Sequence, residues 1–176
     1  MRNLVLYITA SLDGYIADEN GGVGWLTGDP STDYGYAEFL EGVDTLVMGS
    51  STYLTSLALD GGTDGFEGRG VFVYTSGDDL PPRAGVTFVR KPAPPHVAEL
   101  KGQDGADIWL LGGGRFATNM LAAGLIDELR IFVQPIVLGG GTPLWRCLGI
   151  PVALELLEAR TWPGGLVELR YRPRPT

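Results

Sequence analysis

Asp107-Ile108-Trp109-Leu110-Leu111-Gly112-Gly113-Gly114-Arg115-Phe116 is the stretch on which the reading of this chain turns. A short apolar run rich in strand formers stops at three consecutive glycines. Beyond them Ala117, Leu121, Gly124 and Leu125 mark one helical face, with Phe116, Met120 and Ala123 widening it. This is a strand, a glycine turn and a helix. The same unit stands earlier: Thr45 to Met48 reads as a buried strand, Gly49-Ser50-Ser51-Thr52 as the turn with hydroxyl caps, and Leu54, Leu57 and Ala58 as a helical face. A strand ending in glycine and feeding a helix gathers unpaired N–H groups and the positive end of the helix dipole at one point, where a phosphate can approach the backbone. Two such ends at the carboxyl edge of one sheet can hold the two phosphates of a dinucleotide. Neither turn matches GxGxxG or GxxxxGK[ST], and tight turns without a ligand look the same, so spacing alone leaves both readings open.

Working outward, Leu4 to Ala10 is a buried strand that ends in the turn Ser11-Leu12-Asp13-Gly14. Tyr36, Phe39, Leu40 and Val43 fall on one face of a helix. Asp60 to Gly70, with five glycines, reads as a surface loop. Val71 to Thr75 and Val86 to Val89 are strands, and Pro92, Pro94 and Pro95 lead into a helix from His96 to Lys101. Leu129, Ile131 and Val133 alternate with polar or bulky residues as a strand, and Pro135 marks an edge or bulge. Leu154 to Arg160 and Val167 to Tyr171 flank Trp162-Pro163-Gly164-Gly165, a hairpin signal. The order predicts one α/β domain over residues 1–176: a mixed central sheet with helices on both faces and an antiparallel C-terminal hairpin.

Charge and composition narrow the function. Against 13 Lys plus Arg stand 21 Asp plus Glu, a formal charge of −8, which argues against nucleic-acid or anionic-membrane binding. The single Cys147 and single His96 exclude a disulfide framework, a cysteine zinc cluster and any two-histidine mechanism, so no metal site is expected. Met1 to Ala17 lacks a signal-peptide cleavage site, and no apolar run approaches the roughly 18 residues of a membrane span. The cytoplasm is the expected compartment.

Five blocks in order carry a family resemblance. They are Ser11-Leu12-Asp13-Gly14-Tyr15-Ile16-Ala17, Val47-Met48-Gly49-Ser50-Ser51-Thr52-Tyr53, Leu111-Gly112-Gly113-Gly114-Arg115-Phe116, Leu125-Ile126-Asp127-Glu128-Leu129, and Pro135-Ile136-Val137-Leu138-Gly139-Gly140-Gly141-Thr142-Pro143-Leu144. Over Leu4 to Tyr171 the chain resembles the dihydrofolate reductase superfamily. Within it the resemblance is nearest to stand-alone proteins similar to the reductase domain of the bifunctional riboflavin-biosynthesis deaminase-reductase. The resemblance implies a dihydrofolate reductase-like three-layer α/β fold. It also implies an NADPH-dependent oxidoreductase acting on a small pterin-like or ribosylaminopyrimidine-like substrate, after the manner of 5-amino-6-(5-phosphoribosylamino)uracil reductase. Dihydrofolate reduction proper and a non-catalytic ligand-binding module on the same fold are the alternatives. A homodimer is expected, because riboflavin-type reductases pair and the C-terminal strands carry apolar alternation beyond one face.

Carried onto this sequence, the resemblance implies that Gly49, Ser51 and Thr52 and the Gly112, Gly113 and Gly114 turn cradle the cofactor pyrophosphate, with Ser50, Leu111, Arg115 and Phe116 also binding the cofactor. Thr75 and Ser76 lie near the adenosine ribose; Thr9, Ala10 and Ile16 border the nicotinamide, and Asn20 to Trp25 form the loop that closes over it. The family's Gly-Gly bond at Gly112-Gly113 is expected to be cis. Two departures stand out. The family's arginine on the 2′-phosphate is Ser50 here, which leaves NADH possible as cofactor, with Arg69, Arg90 or Lys91 as candidate replacements for the charge. The family's catalytic carboxylate falls on Asp33 when counted back from Gly49 and on Gly35 when aligned on Phe39; Asp33 also reads as a helix N-cap. Trp25, Tyr34 and Tyr36 either line the substrate pocket or pack in the core. His96 reads as surface, Cys147 as a buried small hydrophobe, and Asp127 and Glu128 as structural.

Overall fold

The computed structural model describes residues 1–29, 31–59, 62–77 and 79–174. In chain order it contains β1 (Leu4–Ser11), β2 (Tyr15–Ala17), α1 (Tyr36–Glu41), β3 (Val43–Gly49), α2 (Ser50–Ala58), β4 (Gly70–Tyr74) and β5 (Val86–Val89). There follow α3 (Ala93–Lys101), β6 (Asp107–Gly112), α4 (Gly114–Ala122), β7 (Glu128–Gln134), β8 (Thr142–Pro143), β9 (Leu154–Thr161) and β10 (Val167–Pro173). Eight strands form one sheet in the order β5-β4-β3-β6-β1-β7-β10-β9. It is parallel from β5 to β7, and antiparallel where β10 joins β7 and β9 joins β10. The expected mixed sheet with an antiparallel hairpin is what the chain builds.

The parallel strands are apolar because both faces are covered. Leu4, Leu6, Ile108, Leu110 and Leu129 face α3 and α4, whose Val97, Leu100, Ala117 and Met120 complete one core layer. Val5, Leu46, Met48, Val71 and Val73 face the other way, onto Phe39 of α1 and Tyr53 of α2. Leu6, Leu46, Leu110 and Leu129 are fully buried, each worth roughly 1.5–3 kcal/mol of apolar transfer. Charged groups close the amino ends of the strands. The buried Arg2 guanidinium donates to Ala106 O, to the Thr45 hydroxyl and to the Asp44 carboxylate. The Lys101 ammonium donates to Leu125 O and Asp127, and Asp127 also accepts from the Leu4 N–H at 2.7 Å. Glu128 pairs with Arg130 and Arg170, so Asp127 and Glu128 are structural, as read.

Several expectations need correction. Val43 belongs to β3, not α1, because Gly42 closes the helix after Glu41. On α2 the buried residues are Tyr53 and Ser56, while Leu54 is 46% exposed. The turn at Gly49 sets the helix's rotation and turns Tyr53, whose hydroxyl donates to Pro81 O, against the sheet. Prolines in its first turn start α3 at Ala93, before His96. His96 is half-buried, edge-on to Phe72, with Nδ1 2.9 Å from the Tyr74 hydroxyl. Cys147 is exposed. Of the glycine-rich stretch, Asp60 and Gly61 lie outside the described residues, and the rest is not simply surface: Gly65 and Phe66 are buried. The two-stranded sheet of β2 and β8 was not foreseen. Among the described residues no helix is long and apolar enough to cross a membrane.

Candidate active site

Neighbouring parallel strands β3 and β6 both end in glycine and both feed helices, Met48 standing opposite Gly112. The N-termini of α2 and α4 therefore open side by side at the carboxyl edge of the sheet, and neither carries a side-chain cap. Their first N–H groups are left for a ligand or water. The Gly112–Gly113 peptide is cis, as expected, and Gly112 has φ +130°, a conformation that L side chains rarely adopt. At Gly114 a Cβ would collide with the carbonyl oxygen of Pro143, so this glycine lets β8 lie against the start of α4.

Two cavities meet at this edge. The outer one, about 640 Å³, runs over both helix starts and includes Gly49, Ser50, Thr75, Ser76, Gly114, Arg115 and Phe116. Four cations line it, Arg90, Lys91, Arg115 and Arg146, and no carboxylate does among the described residues. For a chain of charge −8 that is a local inversion of sign. The inner cavity, about 390 Å³, contains Thr9, Ile16, Leu111 and Gly112, together with Tyr7 and Trp109. Ser51, Thr52, Gly113 and Thr142 line both.

Most of the nominated residues converge here, but not all. Ala10 is buried in the core beneath the site, 2% exposed. Trp25 lines neither cavity; its indole N–H is buried without a hydrogen-bond partner among the described residues. Tyr34 has φ 54°, accepts from the Asp29 N–H and packs edge-on to Trp162. Tyr36 packs edge-on to Trp109, and burial raises its pKa. Asp33 is exposed and accepts from the Ala37 N–H at 3.1 and 3.2 Å; it is not the N-cap of α1, a position taken by Gly35, and it lines neither cavity. Arg69 is spent elsewhere: its guanidinium donates to the carbonyls of Leu40, Val43, Gly65 and Glu67, so it is not the replacement cation, whereas Arg90 and Lys91 do reach the outer cavity.

Tyr7 and Trp109 were not singled out in the sequence. The signal was the two-residue alternation that puts Tyr7 with Thr9, and Trp109 with Leu111, on one face next to the glycine turns. Tyr7 stacks on Phe39 at 4.2 Å between ring centroids and lies edge-on to Trp109. Burial, reinforced by Glu168 and Tyr36, pushes its pKa far up, so the phenol stays protonated. The wall after β2 is shaped by Asp18, which accepts from the N–H groups of Asn20 and Gly22 at 2.8 Å each and presents Gly21, Val23 and Leu26 to the inner cavity.

A mixed eight-stranded sheet with two glycine-started helices over one cleft defines a dihydrofolate reductase-like protein. The chain belongs to the RibD C-terminal domain family, whose model matches residues 70–167. Its relatives include the Bacillus subtilis protein YwjB, 36% identical over 97% of both chains. A Shewanella sp. PV-4 protein, whose name refers to riboflavin biosynthesis, superposes with TM-score 0.85 at 31% identity, covering 99% of this chain and 100% of that one. Dihydrofolate reductase from Enterococcus faecalis, solved with NADP(H), superposes with TM-score 0.68 at 14% identity over 98% and 97% of the two chains, a likeness of fold.

Proposed function

We propose that this chain is an NADPH-dependent reductase of a small pterin-like or ribosylaminopyrimidine-like ring. One observation carries the reading: a cation-lined cavity over two helix N-termini opens into a second cavity with no charged lining residue among the described residues, through Ser51, Thr52 and Gly113. The residues fit a dinucleotide phosphate group. Gly49 and Gly112 to Gly114 let it approach the backbone, and Arg115, Arg146, Arg90 and Lys91 supply charge. A bound reduced nicotinamide supplies the hydride. The chain's own part is to orient the ring against Thr9, Ile16 and Leu111, to exclude water with the Val23 and Leu26 wall, and to keep the Tyr7 proton in place as a hydrogen-bond donor.

Lys91 and Arg90 line the same cavity as Ser50 and offer the charge that Ser50 lacks for a 2′-phosphate, which supports NADPH over NADH. We also propose a homodimer through β9, a sheet edge all of whose residues are exposed, Leu156 at 54%. The test is a titration of the protein with NADPH and with NADH, followed by tryptophan fluorescence, and then cofactor oxidation with dihydrofolate or 5-amino-6-(5-phosphoribosylamino)uracil. Saturable NADPH binding with turnover is expected. Absence of binding of either cofactor at millimolar concentration overturns the reductase, and cofactor binding without turnover of these two compounds or of dihydropterin and the ribosylaminouracil nucleoside favours the non-catalytic module.

A further inference from the structure

The two cavities differ in charge more sharply than in size. Among the described residues all four cations sit in the outer one, and the eighteen that line the inner one include no Arg, Lys, Asp or Glu. What the inner cavity offers is aromatic and aliphatic surface from Tyr7, Trp109, Val23 and Leu59, and neutral hydroxyls from Thr9 and Thr55. The charged groups that act on Tyr7, and Asp18 beside the cavity wall, are already engaged, Asp18 by the N–H groups of Asn20 and Gly22. Arg130 is paired to Glu128 and lies over the Phe39 ring, Glu168 accepts from the Trp162 indole, and Asp33 accepts from Ala37 N–H.

We infer that the substrate of this site is an uncharged ring compound, one that brings neither a phosphate nor a carboxylate into the inner cavity. The inference rests on the reductase reading above, which commits the cations of the outer cavity to the cofactor. A charged group that leaves water without a counter-ion or a full set of donors is strongly disfavoured, whereas ring carbonyls and ring N–H groups are matched by hydroxyls and by the Tyr7 phenol. Of the pterin-like and ribosylaminopyrimidine-like rings, the site therefore takes those without a glutamate or phosphate tail.

Two matched pairs test it on the full chain saturated with NADPH: dihydropterin against dihydrofolate, and the ribosylaminouracil nucleoside against its 5′-phosphate. Binding is read by quenching of tryptophan fluorescence, and kcat/KM by cofactor oxidation. The uncharged member of at least one pair is expected to bind about tenfold tighter or better than its charged counterpart. Thr55→Lys, which adds a cation to the cavity wall, is expected to narrow that gap in the nucleoside pair, with a thermal melt confirming that the variant folds. Equal or tighter binding of both charged members overturns the inference, and so does failure of all four compounds to bind while NADPH binds. Failure of NADPH itself to bind overturns instead the reductase reading on which it rests.

Discussion

Asp13 and Gly139, 126 residues apart in sequence, are joined directly: the Asp13 carboxylate accepts from the Gly139 N–H at 2.8 Å and from the Leu138 N–H at 3.1 Å. The Ser11 hydroxyl donates to the same carboxylate at 2.6 Å and itself accepts from the Tyr15 N–H. The turn after β1 thus holds the segment that leads into β8, on the rim of the inner cavity. Ser11 first, then Gly139 and Leu138, lower the Asp13 pKa. A depressed folded-state pKa contributes stability above the ordinary carboxylate pKa of about 4, and that contribution is lost as pH falls through the folded value. Thermal melts taken from about pH 7 down to about pH 3 should show a smaller loss of stability in Asp13→Asn than in the wild type. Identical pH profiles would remove Asp13 from this role.

Cofactor selectivity should follow the cations and not Ser50. Lys91→Ala is expected to weaken NADPH about tenfold while leaving NADH within about twofold, since a charge-assisted hydrogen bond to phosphate is worth roughly 1.5–3 kcal/mol and exposure reduces that. Ser50→Arg is expected to tighten NADPH and not NADH. Dissociation constants from fluorescence titration decide it; equal losses for both cofactors in Lys91→Ala would place that lysine on the pyrophosphate.

Gly114→Ala forces a methyl group into the Pro143 carbonyl. Overpacking of this kind costs about 1–3 kcal/mol, because backbone on both sides must shift. Equilibrium urea unfolding should show the loss, and NADPH affinity should fall with it. An unchanged midpoint would mean that β8 yields freely.

The exposed leucines of β9 should hold two copies together. Light scattering of the wild type is expected to give twice the chain mass of 18.8 kDa, and Leu156→Lys to give that mass alone. The far-ultraviolet circular dichroism should not change, since the side chain is 54% exposed in the single chain. A wild type that scatters as 18.8 kDa ends the dimer proposal.

What could be read from the sequence was whatever periodicity or punctuation writes locally. Leu4–Ser11, Val43–Gly49 and Asp107–Gly112 are strands because the apolar runs within them suit a sheet covered on both faces, and Gly49 and Gly112 to Gly114 mark where the latter two turn into helices. The family blocks added the cis peptide and the pairing of the two turns. Tyr15–Ala17 and Thr142–Pro143 stayed invisible, since two or three residues carry no period and their pairing is created by distant contacts. Cys147 is exposed although Trp145 and Leu148 pack against the core, because a segment without helix or strand has no period to carry burial from one residue to the next; Leu54 faces outward because Tyr53 and Ser56 take the buried face of α2. Tyr7 and Trp109 looked like any core aromatics until the adjacent strand ends placed them at a cavity.

The sheet order also governs how the chain can form during synthesis. β3 and β4 lie close in sequence and can pair early, but β1, which precedes the other strands of this sheet in the chain, sits in the middle of the sheet between β6 and β7. Its first partner, reached where Leu4 meets Ile108, is made only after roughly one hundred further residues, so a long loop must close before Leu6 and its neighbours are shielded. Until then the nascent chain carries an uncovered, largely apolar strand, the kind of segment that chaperones bind.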